Sequence, residues 1–209
     1  LILIYSINDK ISLQLGLINI SVGEFMKLLI RGGSIAAGFG VNKSYADILT
    51  ESLLPKGIEV INRSRYRETS FDGIGTFNED IANFKPELLL IQFGVDDAFG
   101  CVYRSEFQEN LVQMVRLTRF CFNPVIFLST SHMFDNPNDM DAVYIFYRSL
   151  RIVAADLGCT LIPVHSCWAG YLEEYNLCSK DLTLEDSRYP NEHGHQVMAD
   201  AMMKWLDNI

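Results

Sequence analysis

From residue 26 onward this chain predicts a three-layer α/β/α sandwich built on a five-stranded parallel sheet, and three observations carry that prediction. Short runs of Ile, Leu and Val alternate with amphipathic stretches of helical period. The runs are continuously apolar rather than alternating in-out, as strands covered on both faces require. Breakers, Pro124 and Gly158 among them, stand between the elements.

The first strand, Lys27–Arg31, holds Leu28, Leu29 and Ile30 and runs straight into Gly32-Gly33-Ser34. A helix over Tyr45–Leu53 leads to the second strand, Ile58–Asn62, and the third strand is Leu88–Phe93. A helix over Glu106–Thr118 precedes Pro124 and the fourth strand, Val125–Thr130. Another, over Met140–Leu157, stops at Gly158 before the fifth strand, Leu161–Val164. Helices over Trp168–Tyr175 and Glu192–Asp207 complete the alternation. In open sheets of this kind ligands bind beyond the carboxyl ends of the strands, so the residues just after each run are the ones to inspect.

Residues 1–25 stand outside this alternation, which divides the chain into an N-terminal extension, 1–25, and a domain, 26–209. Leu1-Ile2-Leu3-Ile4-Tyr5 and Ile11-Ser12-Leu13-Gln14-Leu15 flank Asn8-Asp9, the pattern of a small β-hairpin. Its plain reading is an ordered edge extension. Its functional reading is a homodimerisation arm, because an apolar edge seeks a partner.

With 209 residues, 49% hydrophobic and 21% charged, the composition is that of an ordinary globular domain. A net charge of −9 disfavours nucleic acid and anionic membrane surfaces as partners. No apolar run approaches the roughly 18 residues of a membrane span. Cys101, Cys121, Cys159, Cys167 and Cys178 are odd in number and lack a CxxC pair, so they are expected to be buried free thiols rather than disulfides or zinc ligands. The N-terminus does not read as a secretory signal, and a cytoplasmic setting is the expectation.

Chemistry is suggested first by Gly33-Ser34, from which the chain turns away through Ala36-Ala37-Gly38-Phe39-Gly40. A tight strand-to-loop turn lifts a hydroxyl out of the sheet and leaves backbone N–H groups free to hold an oxyanion. Three further segments follow in order: Val60-Ile61-Asn62 with the loop through Arg67, Gly94-Val95-Asp96-Asp97, and Asp186-Ser187-Arg188-Tyr189-Pro190-Asn191-Glu192-His193-Gly194-His195. Together the four resemble the motifs of the SGNH (GDSL) hydrolase family over about residues 26–209. Those motifs are Gly-Asp-Ser, a strand end with a glycine-bearing loop, Gly-x-Asn-Asp, and Asp-x-x-His-Pro-Asn-x-x-Gly-His. The resemblance implies a flavodoxin-like SGNH hydrolase fold and a serine esterase site with Ser34 as nucleophile and Asp186 as orienting carboxylate. It calls for no cofactor and no resident metal.

Three functional positions depart from the family. Tyr189 stands where the resemblance puts the histidine base, and a phenol of ordinary pKa about 10 is a poor proton acceptor near neutrality. Losing the base of such a triad costs on the order of 10⁴–10⁶ in rate. Asp96 replaces the asparagine that donates to the oxyanion, a loss of about 10²–10³ for one donor. Arg67 replaces the oxyanion-hole glycine, keeping a backbone N–H but not glycine's freedom. Ser34, Arg67 and Asp96 thus form the expected oxyanion region, with an ion pair between Arg67 and Asp96 expected to fill it.

Arg63, Arg65 and Arg67 alternate, so an extended loop would put all three on one face. They are candidates, with Asp97, for binding an anionic ligand such as a carboxylated or phosphorylated sugar. The plain reading, neutralisation of Glu68, Asp72, Asp96 and Asp97, is preferred. His193 and His195 fall on structural motif positions. His132 and His165, after the fourth and fifth strands, read as ordinary partly buried histidines rather than as a displaced base. A hard-cation site from Asp96, Asp97 and Asp186 lacks supporting ligand spacing.

Two functions follow. The preferred one is a degenerate member of the family, weakly active or non-catalytic, that binds a small acylated or anionic carbohydrate-like ligand. The alternative is an active serine esterase, for example a carbohydrate O-acetyl esterase, using Ser34 with a displaced base.

Overall fold

The computed structural model describes residues 25–207. Five parallel strands form one sheet: β1 Met26–Gly32, β2 Ile58–Asn62, β3 Leu88–Gln92, β4 Val125–Ser129 and β5 Thr160–Ile162, in the order β2-β1-β3-β4-β5. Leu28, Leu29 and Ile30 of β1 and Leu88 to Ile91 of β3 are all buried, which is why these two central strands read as unbroken apolar runs.

The strand order dictates the layers. The chain moves from β1 outward to β2, then returns past β1 to β3 and continues to β4 and β5. Right-handed crossovers therefore put the helix α1, Tyr45–Leu53, on one face. On the other lie α2, Ser70–Gly75, α4, Arg104–Cys121, and α5, Pro137–Leu157. The last helix, α8 Glu192–Leu206, packs against α1 and against α6, Val164–Tyr175. Two short helices, α3 Val95–Phe99 and α7 Ser179–Leu182, sit within connections. Strand order reverses between β1 and β3, so the crevice for a ligand opens at the carboxyl ends of these two strands.

The five strands and the covering helices agree with expectation; the differences are local. Pro163 ends β5 early, and α6 begins at Val164, four residues before Trp168. Helix α5 starts at Pro137 because the Asn136 side chain accepts the Asn138 and Asp139 N–H groups and proline suits the first turn. Helices α2 and α3 are too short to show a period. The cysteines are free, but not buried as expected: Cys101, Cys121 and Cys178 are exposed, at or beside helix ends. The proposed N-terminal hairpin and dimer arm fall on residues that, apart from Phe25, lie outside the described ones. Among the described residues no helix is long and apolar enough to cross a membrane.

Candidate active site at the β1–β3 crevice

Ser34 lies two residues past β1, where the backbone coils tightly: Ala37 N–H donates to the Gly33 carbonyl and Phe39 N–H to the Ser34 carbonyl. The loop after β2 continues alongside β1 in parallel register. Arg63 N–H donates to the Ile30 carbonyl at 2.9 Å and Arg65 N–H to the Gly32 carbonyl at 3.4 Å. Two residues on, Arg67 N–H donates to Ser34 Oγ at 2.9 Å, so the serine hydroxyl takes the place of the next carbonyl.

From the other side comes Asp96, in the first turn of α3. Its Oδ1 accepts the Ser34 hydroxyl at 2.6 Å and its Oδ2 accepts the Ser34 N–H at 2.7 Å. Gly33 makes that approach possible, since a Cβ there would stand 2.1 Å from Asp96 Oδ2. Burial pushes the Asp96 carboxyl above its usual range, against the pull of the Ser34 donors and the Arg67 charge. Ser34 itself is 0% exposed. Two donors that would meet an acyl oxyanion, the Ser34 and Arg67 N–H groups, are thus already occupied by Asp96 and by the serine's own oxygen.

The expected Arg67–Asp96 ion pair does not form. No carboxylate among the described residues lies within 4.0 Å of the Arg67 guanidinium, because the Asp96 carboxylate is turned to Ser34. Arg67 has φ +62°, a left-handed conformation that costs a non-glycine residue about 1–2 kcal/mol.

The three arginines also separate. Arg63 and Arg65 turn to Asp80, at 2.9 and 2.6 Å, and Arg65 also reaches Glu68. The same two carboxylates hold Arg31, a fully buried β1 residue, at 2.5 Å from Glu68 and 3.3 Å from Asp80. Burial would raise the Asp80 carboxyl, but hydrogen bonds from Arg65, Thr76 and Arg63 and the Arg31 charge bring it down to about 2. The acidic partners are therefore Asp80 and Glu68, not Asp72, Asp96 or Asp97. Asp97 is turned to backbone: its carboxylate accepts Ser70 N–H at 2.8 Å and Gly94 N–H at 2.9 Å, and it is fully buried away from the cavity lining.

Tyr189 enters on the turn before α8. Burial raises its phenol above the ordinary value, and the charge of Asp96 adds to this, partly offset by an interaction with the Ser34 side chain. A phenol that holds its proton this way gives Ser34 no base. Asp186 does not orient it through a side-chain bond. Its carboxylate accepts Arg188 N–H at 3.1 Å, and its main-chain carbonyl accepts Tyr189 N–H at 3.0 Å.

No histidine takes the vacant role of base. His195 Nδ1 accepts Tyr45 N–H at 3.1 Å, joining α8 to α1, and His193 Nε2 meets Tyr171 Oη at 3.0 Å. His165 contacts Thr130 Oγ1. His132, fully buried, bridges Ser131 Oγ and the Ser187 carbonyl, and burial lowers it to about 4. Among the described residues no group of three or more His, Cys, Asp or Glu side chains is placed to hold a metal ion.

Beside Ser34 lies a cavity of about 450 Å³ lined by Arg67, Asp96, Tyr189, Tyr66, Phe99 and Arg188 among others. The last three escaped sequence reasoning, as did Phe39. Phe39 stacks on Tyr66 with ring centroids 4.3 Å apart and tilts against Tyr189 at 4.7 Å. The guanidinium of Arg188 forks onto Asp139 and lies 4.2 Å over the Phe99 ring. Tyr66 and Arg188 each adjoin a motif position, which is the one signal the sequence offered.

Known proteins place these features. The fold is similar to that of Axe2, an acetylxylan esterase from Geobacillus stearothermophilus, with TM-score 0.76 and 20% identity over 88% of this chain and 94% of that one. It is also similar to LAE5, an alpha/beta hydrolase enzyme from the metagenome of Lake Arreo, with TM-score 0.73 and 22% identity over 86% and 94%. In sequence the chain is 29% identical to esterase TesA of Pseudomonas aeruginosa over 142 residues, 65% of this chain and 69% of that protein. It is 30% identical to an arylesterase of Vibrio mimicus over 97 residues, 44% of this chain, and spans 48% of that relative's length. Residues 31–197, from the end of β1 into α8, match the GDSL-like lipase/acylhydrolase family, and the chain belongs to that family.

Proposed function

We propose that this chain is a non-catalytic or weakly active member of its family that binds a small acylated or anionic, carbohydrate-like ligand in the cavity beside Ser34. One observation carries the reading: Asp96 accepts both the hydroxyl and the N–H of Ser34, placing a carboxylate where an acyl oxygen would have to sit. A developing oxyanion there meets a negative charge instead of donors. The phenol of Tyr189, raised by burial, supplies no base. The test is turnover of p-nitrophenyl acetate and labelling by a serine-directed phosphonate, in wild type and Ser34→Ala. Wild type is expected to match Ser34→Ala. The double variant Tyr189→His with Asp96→Asn is expected to gain Ser34-dependent turnover, and its failure to gain any would mean that the block lies elsewhere.

A second reading rests on the same 2.6 Å contact. As Ser34 Oγ bonds to an ester carbonyl carbon, its proton passes to Asp96 Oδ1. Collapse of the tetrahedral adduct then expels the alkoxide, which takes that proton, and water later releases the acid from the acyl-serine. A carboxyl raised above its usual range by burial is a better base for this step than an ordinary one. Wild-type turnover abolished equally by Ser34→Ala and Asp96→Asn would establish this esterase in place of the binding module.

A further inference from the structure

Arg67 combines three properties that no other residue of the cavity shares. Its backbone is held at φ +62°, where glycine would be relaxed and arginine is not. Its guanidinium has no carboxylate partner among the described residues, although Arg63, Arg65 and Arg188 beside it are all paired. It lines the cavity next to Tyr66, a residue 48% exposed whose ring stacks on Phe39. A strained backbone persists where its surroundings fix it, and here the fixing contact is the Arg67 N–H bond to Ser34 Oγ. That bond needs no side chain at all, so the cation itself is unexplained by the fold.

We infer that Arg67 is the anchor for a carboxylate on the ligand, and that the ligand is a uronic-acid-type sugar whose ring lies against Tyr66. This rests on the binding reading above and names the chemistry of its ligand. A planar guanidinium fork matches a carboxylate oxygen for oxygen. A single guanidinium without a salt-bridge partner among the described residues, its charge already felt by Asp96, suits a monoanion better than a dianion. A dianionic phosphoryl group would be left in excess beside Asp96, since the Arg188 charge is already met by Asp139. Tyr66 presents an apolar ring with a polar tip, suited to the C–H face and hydroxyls of a sugar.

The experiment is calorimetric titration of the whole chain with methyl glucuronide, methyl glucoside and glucose 6-phosphate, in wild type, Arg67→Gly and Arg67→Lys. Wild type is expected to prefer the glucuronide at least tenfold over the glucoside. Arg67→Gly is expected to lose that preference while its melting temperature rises, because glycine relaxes the left-handed backbone. Arg67→Lys keeps the charge but not the fork and is expected to fall between. A preference that survives in Arg67→Gly overturns the inference. So does tighter binding of the phosphate sugar, equal binding of glucuronide and glucoside, or no binding of any of them. Equal binding leaves the binding module itself standing, whereas Ser34-dependent ester turnover removes that module whatever the sugars do.

Discussion

Two clusters of charge flank the loop from Arg63 to Arg67, and they are built on opposite principles. On one side, Arg31, Arg63 and Arg65 surround Asp80 and Glu68, so every carboxylate meets a cation and the Asp80 carboxyl is held at about 2. On the other, Asp96 is held by the neutral donors of Ser34, its carboxyl is raised by burial, and Arg67 acts on it through its charge alone, with no carboxylate within 4.0 Å among the described residues. The first cluster is closed and ties β1 to the segments after β2. The second keeps a cation in reserve at a cavity wall. Paired charges tie the loop to the sheet, whereas the cavity wall carries a guanidinium with no carboxylate within 4.0 Å among the described residues.

The largest break in this contrast is expected at Arg31. Replacing it in Arg31→Leu leaves Asp80 and Glu68 without their buried cation and is expected to cost about 3–5 kcal/mol in urea unfolding. Acid should then separate the two sides. His132 supports the turn that carries Tyr189 by contacting the Ser187 carbonyl, and burial lowers it to about 4. Its folded value lies below its unfolded one, so its stabilisation is complete above pH ~6.5 and is lost as pH falls toward 4, about 3 kcal/mol in all. Asp80, by contrast, holds its contribution until pH falls below the ordinary carboxylate range toward 2. Melting curves between pH 7 and 4 should therefore decline in wild type, and the slope should flatten in His132→Leu.

Smaller effects sharpen the comparison. The Asp96 carboxyl is raised, so its stabilisation is present in full below the unfolded carboxyl value near 3.9 and declines as pH rises through the folded one. Asp96→Asn should therefore gain stability relative to wild type between pH 4 and pH 8, as read from paired thermal melts; an unchanged gap would mean that the carboxylate is not the penalised group. The least effect is expected at Arg63→Gln, under about 1 kcal/mol, because Arg63 is 34% exposed and Asp80 keeps two other cations.

The sheet was legible because strands buried on both faces must be apolar along their whole length, as Leu88 to Ile91 are. The motif residues were legible as positions: Ser34, Arg67, Asp96 and Tyr189 do gather at the β1–β3 crevice. Their partnerships were not. Ser34 and Asp96 are 62 residues apart, and nothing local says that the carboxylate will choose the serine over Arg67. Asp80 was overlooked because it lies in a π-helical turn with no motif around it, yet it is the buried acceptor for three arginines. The arginine inside the apolar run of β1 was the available hint, since a buried guanidinium demands a carboxylate.

The ladder that runs Arg63 to Ile30, Arg65 to Gly32 and Arg67 to Ser34 makes one amide a built-in gauge of the site. The Arg67 N–H rests on the serine hydroxyl rather than on a carbonyl, so its exchange with deuterium follows the state of that hydroxyl. Any agent that acylates, displaces or deletes the Ser34 oxygen should deprotect this amide while the Arg63 amide, two steps back on main-chain oxygen, keeps its rate.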